Sequence, residues 1–262
     1  MRLGAGIFIG ACMFAASAAM LPVLPQSDDL APLDVSYLEA AMFIEDSPQA
    51  MRQDAARESD EQAPPIFGLE TEPVVGELAA KWRAVKADID REQQVLARCR
   101  AQEACPVVAQ SLLDIVAEGA GHTGRARVGL INRAVDLAIT PTSDEVQWGV
   151  VDRWSPPFET LQTRRGDCED YAIVKYVALL QAGLSPDDVK IVILRNLLPK
   201  EDHAAVAARV DGQWLILDNR RLALVRDTKM VGCIPKFVLD EHGTRRFVQP
   251  NRAPGTPSRV SV

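Results

Sequence analysis

Two apolar segments on either side of an Asp-Gly pair constrain the fold of this chain more than any other feature. HAAVAARV ends at Asp211-Gly212, and QWLILDN follows it. An Asp-Gly pair between two such segments is typical of a two-residue β-hairpin loop, whose central residues must adopt positive φ. VKIVILRN, a third β-branched segment, lies just upstream. The sequence therefore predicts an antiparallel sheet in the C-terminal half of the chain.

The two-residue loop also determines which residues face each other across the hairpin. With this loop, Ala205 lies opposite Asp218. Side chains alternate between the two faces of a strand, so His203 shares a face with Ala205 and is a diagonal neighbour of Asp218. We therefore expect the Asp218 carboxylate to reach the His203 imidazole, orienting it as a base for a nucleophile. The alternative is a core or surface histidine whose acidic neighbour is incidental.

A helix is predicted directly upstream of these strands. CEDYAIVKYVALLQAG carries apolar residues at helical spacing, with Asp167 as a candidate N-cap and Gly183 as a C-terminal stop. Cys168 then lies in the first turn, where free N–H groups and the helix dipole favour a thiolate. A thiolate there, facing a His-Asp pair on a sheet, is the arrangement of papain-like acyl-transfer enzymes. The alternative is a small buried cysteine.

The region before the catalytic candidates is predicted to be largely helical, from about residue 77 to 140. Apolar residues recur at helical spacing from Gly76 to Cys99, from 106 to 118 and from 125 to 139. The next segment, 143–167, is predicted to be a long loop interrupted by Pro156-Pro157. Helices followed by antiparallel strands predict an α+β fold over residues 66–245, with the core of the site at about 141–240.

Both ends of the chain differ in composition from this domain. Residues 1–19 have a basic start, an apolar run and the small residues Ala16-Ser17-Ala18, which predict a cleaved signal peptide and a periplasmic location. A membrane anchor, or a lipid anchor at Cys12, is the alternative. Residues 20–65 are rich in Pro, Asp, Gln and Ala and are predicted to be a linker or loosely ordered arm. Residues 246–262 are predicted to be a flexible tail.

Cysteine spacing and net charge narrow the class of protein. Cys99 and Cys105 are close enough for a local disulfide in an oxidising periplasm, or they are two free thiols. Cys233 is expected to be a small buried apolar side chain. The formal net charge of -7 argues against nucleic acid as a partner, because phosphate binding needs a basic face.

Three carboxylates surround Cys168, namely those of Asp167, Glu169 and Asp170. So many negative charges oppose thiolate formation. A hard cation would offset them, and carboxylate oxygens suit calcium. The alternative is that Asp167 only caps the helix and that the other two acids interact with its positive end.

A longer pattern makes these observations more specific. WGVVDRWSPPFETLQTRRGDCEDYAIVKYVALLQAGL, then DHAAVAARV and WLILDNR, resembles the bacterial transglutaminase-like cysteine proteinases, a group that includes the LapG-type periplasmic proteases. The resemblance runs from about Phe67 to Phe237, and GDCEDYA followed by Lys-Tyr is its most specific part. It implies a papain-like, transglutaminase-like core in which the catalytic triad is Cys168, His203 and Asp218. It also implies bound calcium, Ca2+, with Asp167 and Glu169 as ligands and Asp170 as a further candidate.

The same resemblance implies a function. Proteases of this type are cysteine endopeptidases that cut a large surface adhesin and thereby control attachment and biofilm formation. They are held in check by an inner-membrane receptor that senses a cyclic dinucleotide. Three alternatives stay open for this chain: a transglutaminase, an amidase that acts on cell-wall peptides, and a non-catalytic binding module with the same fold.

Overall fold

The computed structural model describes residues 64–249. The predicted signal peptide, the predicted arm up to residue 63 and the predicted tail from residue 250 lie outside the described residues. The α-helices of the described part are α1 (Glu77–Arg100), α2 (Val107–Glu118), α3 (Gly124–Ala138), α4 (Asp144–Trp148), α5 (Pro157–Thr163) and α6 (Cys168–Gln181). The strands are β1 (Thr71–Pro73), β2 (Thr140–Pro141), β3 (Arg165–Gly166), β4 (Val189–Asn196), β5 (Asp202–Val210), β6 (Gln213–Leu217), β7 (Val225–Arg226), β8 (Cys233–Asp240) and β9 (Gly243–Phe247).

Seven of these strands form one antiparallel sheet, in the order β1-β9-β8-β4-β5-β6-β7. Its helix-covered face contributes to the main core, which includes Trp82, Ile89, Leu112, Ile131 and Tyr176. A second, smaller cluster covers the other face and includes Ile66, Val192, Leu194, Trp214 and Phe247. Helices on one face of an antiparallel sheet confirm the predicted α+β fold.

The hairpin has the predicted register. Asp211 and Gly212 adopt φ of 49° and 71°, and the strands pair Val206 with Leu217 and Val210 with Gln213. Both central residues thus have the positive φ that a two-residue Asp-Gly turn requires. The turn therefore determines the position of Asp218, one residue beyond the end of β6.

The predicted helical region is confirmed as α1, α2 and α3, which lie within a residue or two of their expected bounds. A disulfide between Cys99 and Cys105 closes the connection from α1 to α2. The two cysteines are therefore paired in this structure. Within residues 64–249, the structure contains no helix long and apolar enough to cross a membrane.

Three predictions need correction. The expected long loop at 143–167 contains α4 and α5, and α5 begins at Pro157, because proline is well suited to the first helical position. The expected tail starts too early, since β9 pairs with β1 as far as Phe247, which is buried. Cys233 is half-buried on β8 rather than fully buried.

Candidate active site

Cys168 is the first residue of α6, and its sulfur lies against strand β5. The N–H of Ala204, the residue after His203, donates to Cys168 Sγ at 3.4 Å. The thiol in turn donates to Glu169 Oε2 at 3.1 Å. Burial, and after it the Glu169 carboxylate, raises the pKa of the Cys168 thiol. The cysteine is thus positioned beside His203, in surroundings that on their own keep it protonated.

Gly166 and Asp170 fix the start of α6. A Cβ at Gly166 would lie 2.6 Å from the Asp170 Cβ, so the two residues pack together only when position 166 has no side chain. The buried Asp170 carboxylate accepts the N–H of Ser155 through Oδ1 at 2.8 Å. Asp170, one of the predicted metal ligands, is directed towards this loop instead, and its Oδ1 is engaged by the Ser155 N–H.

Gly166→Ala is expected to destabilise the protein by about 1–3 kcal/mol, because the added methyl group overpacks against Asp170. Chemical denaturation measures this change. Gly129→Ala in α3 is the matched control, since the nearest atom to its new Cβ would be 3.7 Å away. That control is expected to be neutral or to stabilise by up to about 1 kcal/mol, as alanine favours helices over glycine. Equal effects of the two variants would contradict the steric role of Gly166.

His203 and Asp218 form a buried pair on the sheet. His203 Nε2 and Asp218 Oδ1 are 3.0 Å apart, and the two residues are 4% and 1% exposed. Burial alone would raise the pKa of the Asp218 carboxyl, but hydrogen bonds from His203 and Arg220 hold it well below its usual range. Asp218 is therefore an ionised acceptor for the imidazole, as the hairpin register predicts.

Cys168 and His203 open onto one cleft of about 450 Å³. Its apolar walls are formed by Leu78, Val151, Trp154, Ile193, Ala204 and Phe237. Its remaining lining residues are acidic: Asp152, Asp167, Glu169 and Asp202. The structure therefore brings two of the three predicted catalytic residues to the surface of the cleft and places Asp218 behind His203.

A cluster of three carboxylates lies next to Cys168. Ligand oxygens of Asp144, Asp167 and Glu169 all lie within 4.8 Å of one another. Asp144, which the predicted ligand set does not include, is 2% exposed at the start of α4. The short parallel pairing of β2 with β3 brings it here, continued by the Thr142 N–H bond to the Gly166 carbonyl at 2.9 Å.

The chemistry of this cluster fits a hard cation. Asp167 Oδ1 is buried without a hydrogen-bond partner, and the Asp167 side chain makes no cap hydrogen bond to α6. Burial, followed by the neighbouring Glu169 and Asp144, raises the pKa of Asp167 to about 8. Burial also raises the pKa of Glu169. The capping role considered for Asp167 is therefore not what its side chain does, and carboxylates so crowded suit calcium.

Comparison with known proteins identifies the family. The sequence profile described as "Bacterial transglutaminase-like cysteine proteinase BTLCP" matches residues 98–230, just over half of the chain. The chain belongs to the bacterial transglutaminase-like cysteine proteinases. A cysteine at a helix start, packed on an antiparallel sheet that carries histidine and aspartate, is the papain-like fold expected of this family.

Several solved structures resemble this transglutaminase-like proteinase. Calcium-bound LapG of Legionella pneumophila is 18% identical, with 66% of this chain and 93% of that one covered and a TM-score of 0.48. Another structure of the same LapG is 17% identical, covering 59% and 87% at a TM-score of 0.48. A putative cysteine protease from Cytophaga hutchinsonii is 18% identical, covering 59% and 56% at a TM-score of 0.35.

A curated relative matches over a shorter segment. The UPF0252 protein of Methanocaldococcus jannaschii is 31% identical over 71 residues, which is 26% of this chain. The aligned segment spans 20% of the length of that relative.

Proposed function

We propose that this transglutaminase-like proteinase is a calcium-dependent cysteine endopeptidase of the periplasm, with Cys168, His203 and Asp218 as its catalytic triad. One observation carries the proposal. A buried His203–Asp218 pair lies next to the sulfur of a helix-start cysteine, at the wall of an open cleft. Nucleophile, base and orienting acid then occur in the order that acyl transfer requires.

The proposed reaction proceeds in two steps. The Cys168 thiolate attacks the peptide carbonyl carbon, and the His203 imidazolium gives its proton to the departing amine, which leaves a thioester. His203 then removes a proton from water, the hydroxide oxygen bonds to the acyl carbon, and Cys168 leaves as a thiolate. The free N–H of Cys168 at the start of α6 is a donor for the oxyanion. Asp218 holds Nε2 of His203, which leaves Nδ1 to exchange the proton.

Calcium enters the proposal through the charge around Cys168. Asp144, Asp167 and Glu169 would hold the ion. Bound there, it would supply positive charge that offsets the carboxylates opposing the thiolate. Glu169 takes a direct part in this balance, because its Oε2 accepts a hydrogen bond from the Cys168 thiol and so favours the protonated form. A Glu169 carboxylate bound to calcium would no longer favour the thiol in this way.

The proposed substrate is an exported protein, such as a large cell-surface adhesin whose cleavage releases cells from a surface. The cleft supports an extended polypeptide as substrate, because it is open and has apolar walls of residues such as Trp154 and Phe237. A membrane receptor that senses a cyclic dinucleotide is the proposed regulator. The predicted signal peptide supports the periplasmic location.

The proposed function is tested by comparing new protein N-termini in envelope and secreted fractions. Cells carry the wild type, Cys168→Ala or Cys233→Ala, each with and without a calcium chelator. We expect a cut in a surface protein that requires Cys168 and calcium but not Cys233. Cys233 is a matched control, because among the described residues it is the other free cysteine and it is half-buried like Cys168.

The absence of a Cys168-dependent cut would favour one of the other proposed activities. If no N-terminus depends on Cys168 while the protein is expressed and folded, the endopeptidase proposal fails. Transfer to a labelled amine would then indicate a transglutaminase, and digestion of cell-wall peptides would indicate an amidase.

A further inference from the structure

Arg220, the last residue of the WLILDNR segment, makes three hydrogen bonds to the Asp218 carboxylate. Its N–H and its Nε donate to Asp218 Oδ1 at 3.0 and 3.1 Å, and its Nη2 donates to Oδ2 at 3.0 Å. Oδ1 also receives His203 Nε2. The orienting oxygen therefore has three donors, two of which come from one arginine.

A buried carboxylate has two separable effects on the imidazole that it faces. Its geometry orients the ring, and its negative charge stabilises the imidazolium. Too strong a charge effect hinders a general acid, which must release its proton to the departing amine. A guanidinium that shares the carboxylate weakens the charge effect and reinforces the geometry, because its planar fork holds both oxygens.

We propose that Arg220 is a positioning residue of the site, which fixes the Asp218 carboxylate towards His203 and offsets much of the negative charge that Asp218 presents to the imidazole. Asp218 then acts on His203 mainly as an oriented hydrogen-bond acceptor. The inference extends the proposed function, since it concerns the base of that same reaction.

Arg221 offers an internal comparison. Its Nε lies 3.5 Å from Asp218 Oδ2, which is the oxygen turned away from His203 in the pairing. The two arginines have similarly exposed side chains, at 40% and 46%. Only the Arg220 side chain contacts both carboxylate oxygens of Asp218. Removal of Arg221 therefore removes a nearby positive charge and leaves the hydrogen bonds to Oδ1 in place.

Other charged groups face this region and are constant across the variants compared below. Those that line the cleft with His203 are Asp152, Asp167, Glu169 and Asp202. On the strand side, Arg195 pairs with Asp202, and Glu201 interacts with Arg220. On the helix side, the buried Lys175 lies 2.7 Å from Asp136, and both residues interact with Asp218.

The test is an NMR titration of His203 in the full chain, labelled at the histidine nitrogens. All variants carry Cys168→Ala, so that the thiol does not titrate with the imidazole. Arg220→Gln is expected to raise the pKa of His203 by about one unit or more, the shift typical of an unshared opposite charge at this range. Arg221→Gln is expected to change it by less than about half as much. An unchanged His203 pKa in Arg220→Gln would overturn the proposal.

Two further variants separate this role from general support of the loop. In an Asp218→Asn background, Arg220→Gln is expected to shift the His203 pKa by less than about half as much, because only the direct repulsion between the guanidinium and the imidazolium is left to remove. An undiminished shift there would contradict the proposal. Arg220→Lys keeps the positive charge but loses the planar guanidinium that contacts both oxygens of Asp218. We therefore expect a smaller shift of the His203 pKa than in Arg220→Gln, together with a weakened Nε2–H signal that exchanges with solvent. An unaltered signal would overturn the positioning role even if Arg220→Gln failed to fold.

These measurements need no substrate, so they can succeed or fail independently of the endopeptidase proposal. Once a substrate is known, Arg220→Gln in the otherwise native chain is expected to lower kcat more than it raises KM, because proton delivery to the leaving amine is the affected step. Arg221→Gln is the control for that comparison as well.

Discussion

Cys168→Ala is expected to lower kcat for a cleavable protein by at least about 10⁴-fold, because no other group forms the acyl intermediate. The change should leave the fold intact. The sulfur is half-buried and accepts a single backbone N–H bond, from Ala204, so the loss in the free energy of unfolding should stay below about 1 kcal/mol. Steady-state kinetics and chemical denaturation measure the two effects.

Cys233→Ala is the control for this experiment. Its thiol is also free and half-buried, but it lies on β8 and does not line the cleft. We expect kcat within about twofold of the wild type. Appreciable turnover by Cys168→Ala, or an equal loss in Cys233→Ala, would rule out Cys168 as the nucleophile.

Without calcium, the free energy of unfolding is expected to decrease as the pH rises from about 4 to 8. Burial is the first cause that raises the pKa of Asp167 to about 8 and that of Asp170 to about 7. The ordinary value is 3.8 in both cases, so the folded protein binds more protons than the unfolded chain within this window. The stabilisation that these two carboxyl groups contribute is fully present below about pH 4, and it is lost as the pH rises through their pKa values in the folded protein. We expect a decrease on the order of 2–4 kcal/mol, reduced by the partial exposure of Asp167.

Calcium at about 100 times its dissociation constant is expected to restore about 3 kcal/mol at pH 7.5, which raises the melting temperature by about 5–10 °C. Asp144→Asn should largely remove this response and, without calcium, should stabilise the protein by relieving repulsion in the cluster. Asp152→Asn is the matched control, because Asp152 also lines the cleft but lies outside the cluster. The calcium proposal fails if both variants keep the full calcium response, measured by calorimetric melting and by titration calorimetry.

The predictable parts of this molecule are those set by local chemistry. The Asp211-Gly212 turn restricts φ at two positions, and this alone determines that His203 meets Asp218. Likewise, the apolar stripe of α6 and the glycine after it place Cys168 at a helix start. In each case residues that are close together in the sequence are enough to predict the structure.

The missed features depend on contacts between distant segments. Asp144 joins Asp167 because β2 pairs with β3, and strands of two residues leave no readable pattern. Asp170 was expected beside the same ion, but the helix turns its carboxylate to the Ser155 N–H. Arg220 belongs to the WLILDNR segment, but its role could not be predicted, because a basic residue after a strand is ordinary until its carboxylate partner is located.

The proposed nucleophile and its proposed base come from different layers of the fold. Cys168 belongs to α6, whereas His203 lies on β5 and Asp218 directly follows β6, and the Ala204 N–H bond to the sulfur is one of the contacts that join the two layers. A partly assembled chain would therefore lack the proposed site. A molecule in which α6 has not yet packed on the sheet is thus expected to be inactive towards the proteins around it.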